Sequence, residues 1–281
     1  MFELKLENAS GNIVNIDDEI KYSVVSVTGL NPPSASLFLS KSPNRKGARH
    51  NGSTLNERHV VITIKLLGDV EANRNALYDW IDTEQYIKIR YRNDTKNVYC
   101  EGYVEECDFD GFNDNEVVNV AITCANPYWS DLQEIVTDIS SVLKQFTFPF
   151  SISTPVAFST IKSDTTTKIF NSGAETGCRI TIKCLGDVNN FVIYNAKDTT
   201  QQIKINTTLK KDWIVEIDTN ASPKTIKAIK TDGTTENLLK YTGGNTTWLT
   251  LKKGVNWFSY SSDNLLNVEV NVGFTNKYLG V

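Results

Sequence analysis

Between Tyr99 and Trp129 two strand-like runs, YCEGYVEECDF and EVVNVAITC, close on the compact stop NPYW, which divides the chain into two β-rich halves. Pro127 has no N–H to give to a ladder and biases Asn126 away from helix, so Tyr128 and Trp129 are left to pack the end of a domain. Two modules joined near residue 130 follow. The length of 281 residues agrees with two domains at roughly 150 residues each. The expected division is 1–130, a linker over 131–150, and 151–281.

The first half shows short alternating runs near 2–6, 20–28, 34–40, 59–67, 86–92, 97–107 and 116–124, each read as a strand. One helix is expected from about Val70 to Asp82, with Asp69 as N-cap and Ala76, Leu77, Trp80 and Ile81 on one face. The second half is all short β-segments, at 166–171, 178–185, 190–195, 201–206, 213–218, 224–231, 246–251, 255–260 and 266–274. NSGAETG, KDTT, TDGTTE, TGGN and KKGVN punctuate them as turns do in a sandwich or jelly roll. The joining segment 130–146 reads slightly in favour of helix, because Ser130 and Gln133 form a capping box ahead of Leu132, Ile135, Val136, Ile139, Val142 and Leu143. Its β-branched residues pull toward extended chain.

With 40% hydrophobic and 22% charged residues the composition is that of a globular protein. MFELKLENAS has acidic residues where a signal peptide needs an apolar core, so none is expected. The longest uncharged stretch, Phe146 to Ile161, is 16 residues long and is broken by Pro149 and Pro155. It is too short and too polar to span a bilayer, and no membrane partner is expected.

Cys178 and Cys184 share strand parity with Ile180 and Ile182 and form a buried stripe. Six residues at about 3.3 Å each hold those two sulfurs roughly 20 Å apart, beyond disulfide reach. Cys100 and Cys107 are an odd count apart and are expected on opposite faces. An odd total of five with no CxxC indicates a reducing compartment and apolar packing.

Charge separates the halves. Residues 1–130 carry 13 Lys and Arg against 19 Asp and Glu, a net of −6, and residues 131–281 carry 16 against 14, a net of +2. Within the first half, 41–58 (KSPNRKGARHNGSTLNER) holds Lys41, Arg45, Lys46, Arg49 and Arg58 against Glu57 alone. This segment is too long for a tight hairpin and lacks core residues, and loops of that kind are functional or mobile. Residues 94–116 are the reverse: Asp94, Glu101, Glu105, Glu106, Asp108, Asp110, Asp114 and Glu116 face only Lys96. A basic loop and an acidic hairpin are unlike, complementary patches suited to a head-to-tail contact that closes into a ring. Taken singly, each is also what a solvated face looks like.

Catalytic motifs are missing. His50 and His59 lie in or beside the basic loop without Cys or carboxylate at metal-ligand spacing. GxSxG, P-loop and GxGxxG patterns do not occur. Adjacent Glu105 and Glu106 point to opposite strand faces and do not work as an acid–base pair. Glu106, Asp108, Asp110 and Gly111 imitate the opening of a calcium loop, yet the twelfth position, where a bidentate Glu belongs, is Val117. A hairpin turn through Asp110 and Gly111 explains the same residues, so neither enzyme activity, metal nor cofactor is expected. Trp213, Trp248, Trp257 and Tyr260 admit a sugar-binding reading, with Trp248 and Trp257 as the stacking candidates, against the alternative that they fill the core.

The chain resembles the distal tail proteins of long-tailed bacteriophages. The likeness is carried by the order of LNERHVVITIKLLGD, EGYVEECDF, ANPYW, FTFPF, IFNSGAETGCRITIKCLGD, DWIVEIDT, TWLTLKKGVNWFSY and the terminal KYLGV. This resemblance implies a mainly β protein, with a tail-tube-like N-terminal β-sandwich bearing one α-helix and a galectin-like or jelly-roll C-terminal β-sandwich. It further implies a homo-hexameric ring in the virion that joins the tail tube protein to a tail-tip or baseplate hub protein. DNA would pass through the lumen without specific binding, and the C-terminal domain would dock receptor-binding or peripheral baseplate proteins. The 41–58 segment would then be the arm that crosses to a neighbouring subunit, and Glu101, Glu105, Glu106, Asp108 and Asp110 would be its acidic counterpart or would line the lumen. A carbohydrate-binding module is the alternative function, and any glycan-cleaving role lacks a placed carboxylate pair.

Overall fold

A computed structural model describes residues 2–43, 46–110, 116–140, 142–144, 159–161, 166–220, 222–244 and 246–281. Of residues 110, 142–144 and 159–161 only the backbone is described. The chain forms two compact units, one of Met1–Leu132 with Lys277–Val281 and one of Gln133–Asn276. The protein is mostly β, with one α-helix among the described residues.

In the first unit, alternation dictates the strands. The run RHVVITIKL (β6, Arg58–Leu66) buries every second residue, and VVNVAITC (β9, Val117–Cys124) does the same. They pair antiparallel from Arg58↔Cys124 to Lys65↔Val117. Around them lie β1 (Glu3–Asn8), β2 (Ile13–Asn15), β3 (Tyr22–Thr28), β7 (Tyr86–Arg92), β8 (Asn97–Asp110) and β10 (Trp129–Asp131). The sheet runs β2-β1-β7-β8-β9-β6-β3, with β10 paired to β8 and to the terminal strand Lys277–Tyr278. Leu4, Leu6, Val60, Ile62, Ile64, Ile87, Ile89, Val118, Val120 and Trp129 are buried in one core.

The helix α1 (Val70–Trp80) begins where Asp69 accepts the Ala72 N–H at 3.1 Å. It buries Leu77 and sets Trp80 against the core, followed by buried Ile81, whereas Ala76, expected on the same face, is exposed. A hydrogen bond of 3.0 Å from the Tyr22 hydroxyl to the Asn73 carbonyl ties the helix to β3.

A bulge in β8 overturns one expectation about parity. Val104 faces Ile122 but Glu106 faces Ala121, so Glu105 is an extra residue and every side chain beyond it changes face. Cys100 and Cys107 therefore both turn toward the core, and Glu105 and Glu106 are both exposed. Strand parity counted along the sequence gave the reverse because it assumed an unbroken ladder.

The second unit contains β11 (Ile135–Asp138), β12 (Val142–Lys144), β13 (Ser159–Ile161), β14 (Thr167–Asn171), β15 (Arg179–Cys184), β16 (Phe191–Asn195), β17 (Asp198–Ile205), β18 (Ile214–Asp218), β19 (Thr225–Ile229), β20 (Thr235–Asn237), β21 (Gly254–Ser261) and β22 (Val268–Phe274). One sheet is ordered β11-β22-β15-β18-β19-β20, another β14-β21-β16-β17, and buried residues of both form a single core. Cys178, Ile180, Ile182 and Cys184 are fully buried, which bears out the stripe, and burial pushes the Cys178 and Cys184 thiols up to about 12. All five cysteines are free.

Two segments depart from the reading of the sequence. The slight preference for helix over 130–146 fails: Ile135–Asp138 is a strand paired with β22 from Ile135↔Phe274 to Asp138↔Asn271, and its β-branched residues win over the capping box. Residues 246–251 form no strand among those described, only an isolated bridge between Thr176 and Leu251. FTFPF and the turn at 111–115, including the imitation calcium loop's Gly111, lie outside the described residues.

The C-terminus, placed with the second domain by the sequence, packs in the first unit. Trp129 pairs with Tyr278 and Ser130 with Lys277, the Lys96 ammonium donates to the Gly280 carbonyl at 2.8 Å, and the Tyr278 hydroxyl meets Asp131 at 3.2 Å. Deleting 277–281 removes these bonds and is expected to cost the first unit about 2–4 kcal/mol. Calorimetry should show that unit's transition falling while the transition of the second unit stays in place.

Candidate assembly surfaces

A hairpin rises from the first unit over the segment that the sequence marks as a basic loop. Its strands, β4 (Ala35–Ser40) and β5 (Arg49–Leu55), pair from Ala35↔Leu55 to Ser40↔Arg49 with a bulge at Phe38/Leu39. Regular pairing thus extends into what was expected to be an irregular loop. Every residue of β4 is exposed, as is all of β5 except Gly52. Leu37, Phe38 and Leu39 are more than half exposed, at 59%, 54% and 55%, and Leu55 is exposed too. A two-stranded hairpin with no packed face is marginal in water, and contiguous exposed apolar side chains mark an interaction surface. Lys41, Lys46, Arg49 and His50 are exposed at the far end of this arm, and Arg45 lies outside the described residues.

Arg58 does not belong with these bases. It is 1% exposed, and burial depresses its pKa. Its guanidinium donates to four backbone carbonyls: Gly29, Asn31 at 2.7 Å, Pro127 at 2.8 Å and Leu279 at 2.5 Å. It also stands 5.4 Å from the Trp129 ring centre. The fork geometry of arginine suits this, since five donors in one plane reach four carbonyls on three separate chain segments. Two of those carbonyls, Gly29 and Asn31, lie just before β4, so Arg58 fixes the root of the arm. At Gly29 (φ +85°) a Cβ would stand 2.1 Å from the His59 carbonyl oxygen, so only glycine lets the chain turn there.

The acidic run lies along the exposed face of β8. Glu101 is 3.6 Å from Lys88 Nζ, and Glu105 accepts from the Thr123 hydroxyl at 2.5 Å with His59 Nδ1 at 3.7 Å. Glu106 and Asp108 are exposed, and nothing of the Asp110 side chain is described. The structure does not bring this run onto the arm of the same chain.

In the second unit Trp248 packs against the core, with Lys224 Nζ 5.6 Å from its ring centre, while Lys197 Nζ is 5.0 Å from that of half-buried Trp257. Those ammonium groups stand over the ring faces that a sugar would stack on, so the geometry does not favour the glycan reading. Among the described residues no group of His, Cys, Asp and Glu could hold a metal ion, and no helix is long and apolar enough to cross a membrane.

The fold of this mainly β chain has counterparts among solved phage hub and baseplate proteins. The whole chain shares its fold with the Dit (gp 19.1) protein of phage SPP1, described as a paradigm of the hub adsorption apparatus in phages infecting Gram-positive bacteria, at a TM-score of 0.71, 13% identity and 99% coverage of both chains. It also matches a chain of the phage P2 baseplate in its activated conformation with Ca at a TM-score of 0.53, 13% identity and 100% coverage of both, and one of the same baseplate with Sr at 0.51, 13% identity and 98% of both. No curated protein sequence matches the chain. Residues 171–278 match the family "Siphovirus-type tail component, C-terminal domain". The resemblance to distal tail proteins is thus met by the family match over 171–278 and by the shared fold of the whole chain.

Replacing Arg58 by Met leaves four carbonyls without their donor and should lower stability by about 3–5 kcal/mol. The exposed charge change Lys46→Met should stay within about 0.5 kcal/mol. Chemical denaturation of both variants checks the contrast.

Proposed function

We propose that copies of this chain close into a ring at the end of a phage tail, between the tail tube protein and a tail-tip or baseplate hub protein. The observation that carries this reading is the arm: Leu37, Phe38, Leu39 and Leu55 stand exposed on a hairpin that touches no core, which is the form of a segment built to pack on another chain. The stoichiometry implied by the resemblance is six. The second unit, which carries the family match, serves as a platform for receptor-binding or peripheral baseplate proteins. No reaction is required of the chain, because each role is one of position.

The acidic strand β8 is assigned to the lumen. Glu101, Glu105, Glu106 and Asp108 are exposed on one strand, and a channel walled with carboxylates repels phosphate, so DNA slides without sticking. Electron micrographs of intact particles should show a ring of this polypeptide at the joint between tube and tip, and particles lacking it there would overturn the assignment. Rings of the double variant Glu106→Lys, Asp108→Lys should retain duplex DNA about tenfold more strongly than wild type at low salt, with the difference shrinking as salt rises. Equal retention would remove β8 from the lumen.

A further inference from the structure

The ring reading requires a receiving surface for the arm, and the structure offers one at the open edge of the first unit's sheet. Among the described strands β3 pairs only with β6, so its other edge is unpartnered. Between that edge and β1 lies a groove of about 390 Å³ walled by Phe2, Leu4, Val24, Val25, Val27 and Leu30. Phe2 and Val25 are half or more exposed, at 50% and 59%. At Phe2 the groove passes into a second cleft of about 810 Å³, lined by Glu3, Asp17, Asp18, Glu19 and Asp94 with Arg92 as its one cation. Two of these acids are held in place by backbone: Asp18 accepts the N–H groups of Ile20, Lys21 and Tyr22 at 2.8–2.9 Å, and Asp17 that of Val24 at 3.0 Å.

The surface is thus apolar from Leu30 to Val24 and acidic beyond, toward Asp17. The arm repeats that order with opposite charge, apolar at Leu37–Leu39 and basic at Lys41, Lys46 and Arg49. We propose that the arm of one copy lies in the groove between β3 and β1 of the next, with Leu37, Phe38 and Leu39 against Val25 and Phe2 and its basic tip over the acidic cleft. This names the docking surface for the ring proposed above and rests on that reading. The chain's own arm does not use the groove, since β4 is exposed along its whole length. Six residues of strand (Ala35–Ser40) at about 3.4 Å each carry the basic tip some 20 Å from the root, with the apolar section about 7–14 Å along the way. Arm and groove are unlike surfaces, so the contact is head-to-tail, the kind that a rotation closes into a ring. The β8 acids are a poorer receiver, because Lys88, His59 and Thr123 flank them where the arm would need apolar side chains.

Cross-linking between two single variants tests the placement. Full-length Leu39→Cys and Val25→Cys, one of them tagged, are mixed and oxidised while light scattering reports the assembly state. Both positions are exposed, so neither substitution disturbs a core. A mixed disulfide dimer should form at least about tenfold above either variant alone, and adding Lys46→Glu with Arg49→Glu to the first variant should cut it about tenfold. Rings without the mixed dimer would overturn the groove as receiver and leave the ring reading standing. Monomers without the dimer at any concentration would overturn both. A dimer that ignores the charge reversal would remove the tip from the acidic cleft.

Discussion

One buried guanidinium holds the first unit together. Arg58 sits with no carboxylate partner among the described residues, and its charge is compensated by four carbonyls and the face of Trp129. Burying a cation is costly, so such a residue persists only when every donor is used. The carbonyls come from the root of the arm, from the turn that ends the domain, and from the C-terminal tail. Three parts of the chain distant in sequence thus share one anchor, and the direction of the arm depends on the same group that retains the C-terminus. Lysine, with a point charge and three donors, could not span this set.

Much of the fold was legible because one physical rule, burial of alternate residues, governs most of the chain. The stripe Cys178, Ile180, Ile182 and Cys184 reads directly as a strand, and β6, β7 and β9 lie within a residue or two of where their alternation puts them. The rule fails where the ladder breaks. A bulge at Glu105 reverses parity along the rest of β8, and nothing local marks the extra residue. Ile135–Asp138 failed for a different reason, since four residues satisfy helical spacing and strand alternation alike, and only pairing with β22 decides between them.

The surfaces were half legible. The sequence identifies a basic segment and an acidic one, because runs of like charge are visible without coordinates. It could not separate Arg58 from Lys41, Lys46 and Arg49, since burial depends on carbonyls supplied by residues up to 221 positions away. Exposure of Leu37, Phe38 and Leu39 was equally hidden, as an alternating strand promises a core face that this hairpin does not have. The acidic cleft escaped notice because Glu3, Asp17, Asp18, Glu19 and Asp94 come from three separate stretches and form a patch only once β1, β3 and β7 are in place.

The return of the C-terminus changes what the second unit is in mechanical terms. A domain appended at a chain end hangs on one linker, and any pull on it passes through that linker alone. Here the chain leaves the first unit after Leu132 and re-enters at Lys277, and the leaving and returning segments pair with each other through Trp129↔Tyr278 and Ser130↔Lys277. β10 is bonded in turn to β8 through Ser130↔Tyr99 and Asp131↔Val98. The second unit is therefore joined to the first through two strands that are hydrogen-bonded to one another and to the sheet, with Arg58 bonded to the Leu279 carbonyl and Lys96 to that of Gly280. In the ring proposed for this chain, two anchored connections resist separation where a single flexible one would only tether.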